Sequence, residues 1–274
     1  MAWIDVQGNK IYYEDTGNGA PVIFLHGNPG THRLWQYQSS HFKDRYRVLG
    51  IDMRGFGQSD KPVGADYHPS ALASDIAEII SRLNLNRPVL AGLSMGSMVS
   101  LALALEYPER IGGLILAGTT SDRRDRDPEK ELQRLRRLGF DLYLSQLVTS
   151  WYMPDADPQL IEWTLSQVRT TEQHVREATI AALARFHVTD RLREIKVPTL
   201  IMAGDTDAVT PADRARTIQE RILESELVVF PNAGHMFIAE CPDQVNPVMD
   251  KFLQRIGHRA RGLNAPDADP GGRV

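Results

Sequence analysis

Two kinds of apolar pattern alternate along the chain. Short apolar or alternating runs predict strands, and longer segments with apolar residues three or four positions apart predict helices. Apolar strands that alternate with helices predict an α/β fold, in which a mostly parallel central sheet is flanked by helices on both faces. The predicted strands cover residues 3–6, 10–14, 21–25, 46–51, 87–91, 111–117, 199–203 and 226–230, the first two forming a hairpin around Gly8-Asn9. The predicted helices cover residues 70–83, 97–105, 211–223 and 242–256.

The alternation stops between residues 119 and 189, where the pattern is helical and no convincing strand is present. We expect residues 119–189 to form a helical lid insertion over the carboxyl ends of the strands, with residues 1–118 and 190–256 forming the core domain. Residues 257–274 are rich in Gly, Pro, Asp and Arg and are expected to be a disordered tail. Most aromatic residues of the insertion are expected to pack it onto the core, and one or two to face a substrate. These residues are Trp151, Tyr152 and Trp163.

Composition narrows the classes of function. A chain of 274 residues is long enough to bury a large core in one domain. The formal net charge of −4 does not favour a nucleic-acid partner, because such proteins usually carry a basic face. The basic residues between 123 and 137 alternate with acidic ones, and we interpret them as a solvated helix face.

Cys241 is the only cysteine, so the chain can form neither an intramolecular disulfide nor a cysteine-based metal site. No run of about 18 apolar residues is present, so no membrane span is expected. The N-terminal segment lacks the charged and apolar regions of a signal peptide. We therefore expect a cytoplasmic protein, and its oligomeric state stays open.

The pentapeptide at 92–96 has the pattern G-x-S-x-G and lies between a predicted strand and a predicted helix. On a sharp turn between a strand and a helix, a serine hydroxyl projects out of the backbone, and the flanking glycines allow close packing of neighbouring elements. The pentapeptide alone is common by chance, but the order strand, turn, helix makes it specific. Ser94 is therefore the candidate nucleophile.

A serine nucleophile needs a base, and the base needs an orienting acid. In this architecture the order along the chain is serine, acid, histidine. His235 lies in a glycine-containing loop after the last predicted strand and is the candidate base. Asp207, in the loop after the strand at 199–203, is the candidate acid. Asp205 competes with it but is better suited to binding loop backbone, and Asp122 is a third alternative.

The negative charge that develops on the substrate oxygen needs two backbone donors, an oxyanion hole. One predicted donor is the N–H of Met95, at the start of the helix after the nucleophile. The other is the N–H of Asn28, because the loop after the strand at 21–25 continues with Pro29, which has no N–H. His26, in the same loop, is expected to be structural and to bind loop backbone.

Four motifs follow one another along the chain, namely H-G-N-P at 26–29, D-M-R-G-F-G-Q-S-D at 52–60, G-L-S-M-G at 92–96, and the loops that carry Asp207 and His235. With these motifs the chain resembles the α/β-hydrolase family, and the resemblance covers nearly everything from residue 3 to residue 256. The resemblance implies the α/β-hydrolase fold and a catalytic triad of Ser94, Asp207 and His235. It also implies a structural role for the second motif, which is similar to the family's D-x-R-G-x-G-x-S turn.

Within this family, the G-L-S-M-G string with Met98-Val99 soon after looks most like small carboxylesterases and enol-lactonases. The first motif, followed by Leu34-Trp35, is similar to haloalkane dehalogenases, but those enzymes use an aspartate where this chain has Ser94. Proline iminopeptidases usually differ at the positions of Asn28 and Met95. Cofactor-free perhydrolases also share H-G-x-P and Ser-Met-Gly.

We therefore expect a serine hydrolase that cleaves a small carboxylic ester or lactone through an acyl-enzyme on Ser94. We expect no cofactor, no metal ion, no nucleic acid and no membrane among its partners. Two alternatives stay open, namely a C–C bond hydrolase of aromatic degradation and a slow-turnover sensor of a small molecule. The preferred sizes of the acyl and alcohol groups stay open as well.

Overall fold

A sheet of eight strands forms the centre of the computed structural model, which describes residues 2–258. The strands are β1 (Ala2–Val6), β2 (Asn9–Thr16), β3 (Pro21–Leu25), β4 (Arg47–Ile51), β5 (Val89–Leu93), β6 (Gly113–Ala117), β7 (Thr199–Gly204) and β8 (Ser225–Phe230). Their order in the sheet is β1-β2-β4-β3-β5-β6-β7-β8. The pairs β1–β2 and β2–β4 are antiparallel, and all other neighbours are parallel. The predicted mostly parallel sheet is thereby confirmed.

Helices cover both faces of this sheet. Every residue of β3, β5, β6 and β7 is buried, as expected for parallel strands that are covered on both sides. Alternate residues of β3 belong to different hydrophobic clusters, with Ile23 in one and Phe24 in the other. The helices are α1 (Gln36–Phe42), α2 (Pro69–Arg82), α3 (Met95–Glu106), α4 (Pro128–Leu138), α5 (Phe140–Thr149), α6 (Pro158–Val168), α7 (Gln173–Leu183), α8 (Ala212–Gln219), α9 (Phe237–Glu240) and α10 (Pro242–Arg255). The Ile23 cluster includes residues of α2, α3 and α8, and the Phe24 cluster includes residues of α1 and α10.

The hairpin β1–β2 differs from the prediction by one residue. Val6 pairs with Asn9, so Gln7 and Gly8 are the central residues of the turn. Both have positive φ, 51° and 80°, as a two-residue turn of type I′ requires. The prediction placed the turn at Gly8-Asn9 because nothing in the side chain of Gln7 signals a left-handed backbone.

The motif at 52–60 forms a turn held by the buried carboxylate of Asp52. Its Oδ1 accepts hydrogen bonds from the backbone N–H and the Nδ1 of His32, at 2.8 and 2.7 Å. Its Oδ2 accepts one from the N–H of Gln58, at 2.9 Å. Gly57 has a φ of 52°, and a Cβ on it would collide with this carboxylate. These contacts fit the expected structural role of the motif.

Four helices, α4 to α7, lie between β6 and β7, in the segment 119–189 that we call the helical insertion. The two ends of the insertion meet at an isolated antiparallel bridge between Asp122 and His187. The N–H of Val188 donates to the carbonyl of Ser121 at 2.9 Å and reinforces this junction. The insertion therefore leaves the sheet and returns to it at one point.

Among residues 2–258, no helix is both long and apolar enough to cross a membrane. The predicted disordered tail lies outside the described residues, apart from Gly257 and His258. The ring of His258 stacks on Tyr46 with 6.0 Å between the ring centres, and its Nε2 lies 2.9 Å from the carbonyl oxygen of Pro21.

Candidate active site

Ser94 occupies the sharp turn between β5, which ends at Leu93, and α3, which begins at Met95. Its φ of 52° and ψ of −110° are sparsely populated by residues other than glycine, and such strain is concentrated at functional sites. A Cβ on Gly92 would collide with the backbone of Gly96, and a Cβ on Gly96 would collide with the carbonyl of β3 at its last residue. The two glycines of the pentapeptide are thus required by close backbone packing on both sides of the serine.

Hydrogen bonds from neighbouring elements hold this turn in place. The N–H of Ser94 donates to the carbonyl of Ala117 at 2.8 Å, and the hydroxyl of Thr119 donates to the carbonyl of Ser94 at 3.2 Å. The buried hydroxyl of Ser97 donates to the carbonyl of Gly92 at 2.6 Å and accepts from the N–H of Ala117 at 3.1 Å. These contacts preorganise the backbone that carries the candidate nucleophile.

His235 and Asp207 form a buried pair. The Nδ1 of His235 lies 2.7 Å from the Oδ2 of Asp207, and both side chains are almost completely enclosed. The Oδ1 of Asp207 accepts from the N–H groups of Val209 and Thr210, at 2.7 and 2.9 Å, and its Oδ2 accepts from the Thr210 hydroxyl at 2.7 Å. Burial alone would raise the pKa of Asp207, but the adjacent imidazole and these hydrogen bonds outweigh it and lower the pKa. The carboxylate is therefore ionised at neutral pH and can hold the imidazole in one tautomer.

The two competing carboxylates lie elsewhere. Asp205 accepts a hydrogen bond from the N–H of Ala233 at 3.3 Å and so ties its own loop to the loop of His235. Asp122 pairs with Arg124 at 2.9 Å and with His187 at 3.2 Å, at the junction of the insertion. Arg124 and the other charges of that junction lower the pKa of Asp122 to about 2. Of the three candidates, Asp207 is the one within hydrogen-bond distance of His235.

Ser94 and His235 line the same cavity, which has a volume of about 730 Å³. No hydrogen bond joins their side chains among the residues that the structure describes. In enzymes without a bound substrate, hydrogen bonds between a nucleophile and its base are often long and tighten only in the reacting complex. The structure thus brings the two side chains to one cavity and pairs His235 directly with Asp207.

Of the two predicted oxyanion donors, Asn28 lines this cavity, and Met95 directly follows Ser94 in the chain. A Cβ on Gly27 would lie 3.5 Å from the Cβ of Ser94, so the loop that carries Asn28 runs directly beside the candidate nucleophile. Met95 is the first residue of α3, where backbone N–H groups have no partner within the helix. Within residues 2–258, neither the N–H of Asn28 nor that of Met95 donates to another protein group. Both are therefore available to a ligand.

His26 is completely buried, and its two ring nitrogens are both occupied by backbone. Nδ1 lies 2.7 Å from the carbonyl of Gly27, and Nε2 accepts from the N–H of Met53 at 3.0 Å. Nδ1 therefore carries the proton. Burial lowers the pKa of His26 to about 4, so the ring is neutral at pH 7. From the sequence we expected His26 to bind backbone only within its own loop. Its bond to Met53 instead reaches the turn at 52–60.

The helical insertion supplies a charged wall to the cavity, so the interpretation of residues 123–137 as a solvated helix face holds only in part: most of its basic side chains are exposed, but some of them also line the cavity. Arg123, Arg126 and Arg134 from this segment line the cavity, together with Arg176 from α7. The sequence pattern did not show this second role, because whether an exposed arginine also borders a cavity depends on how the insertion folds.

Two features of the His235 loop could not be read from sequence patterns. The indole of Trp151 lines the cavity, with its ring centre 6.3 Å from that of His235, and its carbonyl accepts the N–H of Met236 at 3.1 Å. The carboxylate of Glu240 accepts the N–H of Gly234 at 2.9 Å and the N–H of Met153 at 2.7 Å. The loop of His235 is therefore fastened to the helical insertion on both sides.

The remaining aromatic residues of the insertion pack within it or against the core. The hydroxyl of Tyr152 is 2.6 Å from that of Thr164, and Trp163 is partly buried against the Phe24 cluster. Within the part of the chain that the structure describes, no three His, Cys, Asp or Glu side chains are arranged to hold a metal ion.

Comparisons with known proteins agree with this geometry. A family model described as the alpha/beta hydrolase fold matches residues 20–242. The AB hydrolase superfamily protein YisY of Bacillus subtilis is 32% identical over 262 residues, which are 88% of this chain and 94% of that protein. The 3-oxoadipate enol-lactonase 2 of Acinetobacter baylyi is 28% identical over 241 residues, which are 86% of this chain and 90% of the enzyme.

Solved structures show the same architecture. A thermophilic esterase from Thermogutta terrifontis with malate bound superposes with a TM-score of 0.87 at 28% sequence identity. The superposition covers 94% of this chain and 100% of the esterase. Similarity of this extent confirms the predicted fold class.

Proposed function

The chain belongs to the α/β-hydrolase family, and from that premise we propose that it is a serine hydrolase that cleaves a small carboxylic ester or lactone. The observation that carries the proposal is the pairing of His235 with Asp207 at 2.7 Å, beside a cavity that also contains Ser94 on a strained turn. A neutral imidazole that donates its Nδ1 proton to a carboxylate keeps a lone pair on Nε2, which is what a general base needs.

In the first half of the proposed reaction, the Ser94 hydroxyl attacks the carbonyl carbon of the substrate. His235 accepts the serine proton and then passes it to the leaving alkoxide, which in a lactone stays attached to the acyl chain. Asp207 fixes the imidazole tautomer and stabilises the imidazolium that forms. The product of this half is an acyl-enzyme on Ser94.

The N–H groups of Asn28 and Met95 are proposed to bind the negatively charged oxygen of the tetrahedral intermediate. Donors of this kind are effective because they are already oriented, and the loss of one typically slows a reaction about 100- to 1000-fold. In the second half, His235 deprotonates a water molecule, which attacks the acyl-enzyme and releases the acid and free Ser94. We propose that the helical insertion acts as the lid that excludes bulk water during these steps.

Some of the relatives support ester-bond chemistry, whereas others, such as the 2-hydroxy-6-oxo-6-phenylhexa-2,4-dienoate hydrolase of Comamonas testosteroni at 28% identity, keep the C–C hydrolase alternative open. An enol-lactonase at 28% identity and an esterase with a TM-score of 0.87 are both named for the cleavage of carboxylic esters. We extend this chemistry to the present chain because His235 is hydrogen-bonded to Asp207 and lines the same cavity as Ser94. The proposal keeps the cytoplasmic location expected from the sequence.

The direct test is turnover of 4-nitrophenyl acetate and of dihydrocoumarin, an aromatic lactone, by the parent protein and by two serine variants. Ser94→Ala should lower kcat by about 10⁴-fold or more, whereas Ser100→Ala, a buried serine further along α3, should keep most of the activity. Retained turnover in Ser94→Ala would refute the proposal. Ketonisation and cleavage of a dienolate in place of ester turnover would identify a C–C hydrolase, and binding without turnover would identify a sensor.

A further inference from the structure

The cavity is basic although the chain as a whole is acidic. The net charge of the chain is −4, yet six basic side chains and only three carboxylates line the cavity. All six basic residues belong to the helical insertion, and the cavity that they line also contains Ser94 and His235. They are Arg123, Arg126, Lys130, Arg134, Arg137 and Arg176.

The three carboxylates are already engaged with other groups. Asp125 pairs with Arg214 at 2.5 Å. Asp127 caps α4 and accepts the N–H groups of Glu129 and Lys130. Glu131 accepts the hydroxyl of Tyr143 at 2.6 Å. Asp127 and Glu131 also lie 3.9 and 3.7 Å from Lys130 and Arg134, respectively, so the cavity wall keeps an excess of three positive charges.

Arg123 is the clearest case of an uncompensated charge. The residue is half-buried, and its Nε is enclosed with no hydrogen-bond partner within residues 2–258. Burial, and then the nearby guanidiniums of Arg126 and Arg176, lower its pKa to about 10, so it is still charged at neutral pH. Partial desolvation of a charge is costly when no counter-charge is near, and an anionic ligand would remove that cost.

Arg176, on α7, is a second cavity guanidinium without a carboxylate in hydrogen-bond distance. It is only 6% exposed, and its hydrogen bonds go to the neutral hydroxyl of Tyr143, at 3.1 and 2.5 Å. Its nearest carboxylate, Glu131, lies 3.9 Å away, beyond hydrogen-bond distance. The stacking and hydrogen bonds of Tyr143 fix the guanidinium without neutralising it.

The position of Arg176 on α7 places its charge close to the proposed oxyanion loop, within the length of a small substrate. Thr179 lies one helical turn further along α7, and its hydroxyl donates to the side-chain oxygen of Asn28 at 3.3 Å. Residues three apart on a helix have Cβ atoms about 5–6 Å from each other. The proposed oxyanion loop and the buried guanidinium are thus joined by a single turn of helix.

We propose that Arg123 and Arg176 bind a free carboxylate of the substrate, so that the preferred substrate is an ester or lactone with a second, ionised carboxyl group. This inference rests on the proposed function for the bond that is cleaved. The planar guanidinium presents paired donors that match the two oxygens of a carboxylate, and hydrogen bonds between charged partners are the strong ones. Neutral esters of the same shape would offer neither guanidinium a counter-charge.

The first test compares two substrates that differ only in charge, mono-4-nitrophenyl adipate and its methyl-capped form, methyl 4-nitrophenyl adipate. Release of nitrophenolate reports cleavage of the same bond in both. We expect kcat/KM to be ~10-fold or more higher for the free acid, and this preference to shrink as the salt concentration rises. Equal kcat/KM values for the two substrates would overturn the inference and leave the proposed function intact.

The second test uses variants of the two arginines. Arg123→Gln and Arg176→Gln should each reduce the ratio of kcat/KM for the free acid to kcat/KM for the capped ester by about tenfold, and Arg176→Lys should restore part of it. The matched control is Arg136→Gln, because Arg136 is an exposed arginine of α4 that pairs with Glu129 and does not line the cavity. A fall in both rates at an unchanged ratio would show that the arginines are only structural.

Binding separates a failure of this inference from a failure of the proposed function. In Ser94→Ala, calorimetry should give a Kd for adipate at least about tenfold lower than that for dimethyl adipate, and Arg123→Gln should remove the difference. If adipate binds in this way but no ester is cleaved by the parent, the anion site stands and the proposed reaction is wrong. If esters are cleaved and adipate binds no better than its dimethyl ester, the reverse holds.

Discussion

The Nδ1 of His235 lies 2.7 Å from the Oδ2 of Asp207, although 27 residues separate the two in the chain. The two loops meet because β7 and β8 are parallel neighbours, so their carboxyl ends lie at one edge of the sheet. The loop after β5, which carries Ser94, opens at the same edge. The candidate site is thus a direct consequence of sheet topology.

Asp207→Asn should lower kcat by about 10⁴-fold, because an amide stabilises neither the required tautomer nor the imidazolium. The matched control is Asp205→Asn, two residues earlier, whose amide oxygen can still accept the N–H of Ala233. That control should keep most of the activity. Equal losses in the two variants, measured with 4-nitrophenyl acetate, would mean that Asp207 only shapes its loop.

Thr210 is predicted to position Asp207 through its hydroxyl, which lies 2.7 Å from Asp207 and 3.3 Å from the His235 ring. Thr210→Val keeps the shape and removes the hydrogen bond, and we expect a loss of about 1 kcal/mol in stability and a lower kcat. Thr210→Ser should restore both. Urea denaturation and initial rates measure the two effects, and a Ser variant as impaired as the Val variant would contradict the assignment.

Gly118→Ala should disturb the imidazole directly. Gly118 has a φ of 52°, and a Cβ on it would lie 3.2 Å from the Cε1 and Nδ1 of His235. Gly8→Ala is the control, since Gly8 has a φ of 80° with nothing within 4 Å of its Cβ position. Both variants should lose on the order of 1 kcal/mol from backbone strain, but only Gly118→Ala should lose about tenfold or more in kcat/KM. Unchanged kcat/KM in Gly118→Ala would show that the ring adapts freely.

The free energy of unfolding should depend on pH through His26. Its pKa is lowered by burial from its ordinary 6.5 to about 4, so between these values the unfolded chain binds a proton that the folded protein does not. Stability therefore decreases as the pH falls from 6.5 towards 4. At pH 5 this single group costs about 2 kcal/mol, at 1.36 kcal/mol per pKa unit.

His26→Gln removes this titrating group, and Gln can still offer a donor and an acceptor. Urea denaturation at pH 7 and pH 5 should show a smaller decrease in the variant than in the parent, by about 2 kcal/mol. The comparison of two decreases cancels any pH-independent loss that the substitution causes. Identical decreases would mean that His26 does not contribute to acid sensitivity.

Much of the fold could be predicted from the sequence because apolar periodicity reports burial directly. The predicted strand at 21–25 coincides with β3, and the helix predicted at 70–83 differs from α2 by one residue at each end. Ser94 could be predicted as the nucleophile because the tight packing around it requires Gly92 and Gly96, and these leave the G-x-S-x-G pattern in the sequence. The order of motifs then singled out Asp207 and His235, whose catalytic roles stay predictions.

What could not be predicted depends on contacts between distant segments. The charges at 123–137 indicated a solvated face because their alternation is the same on a helix that faces water and on one that borders a cavity. Thr210 gave no signal, because its role exists only after two loops meet. The same applies to Arg176, whose exposure of 6% depends on how the four helices of the insertion pack.

The central claim is that Ser94 is an activated nucleophile, and covalent labelling tests it most directly. The parent protein is treated with a fluorophosphonate, and the modified peptide is identified by mass spectrometry. The account predicts one label per chain on Ser94, no label in Ser94→Ala, and much slower labelling in His235→Ala. Labelling at another residue, or undiminished labelling in Ser94→Ala, would contradict it.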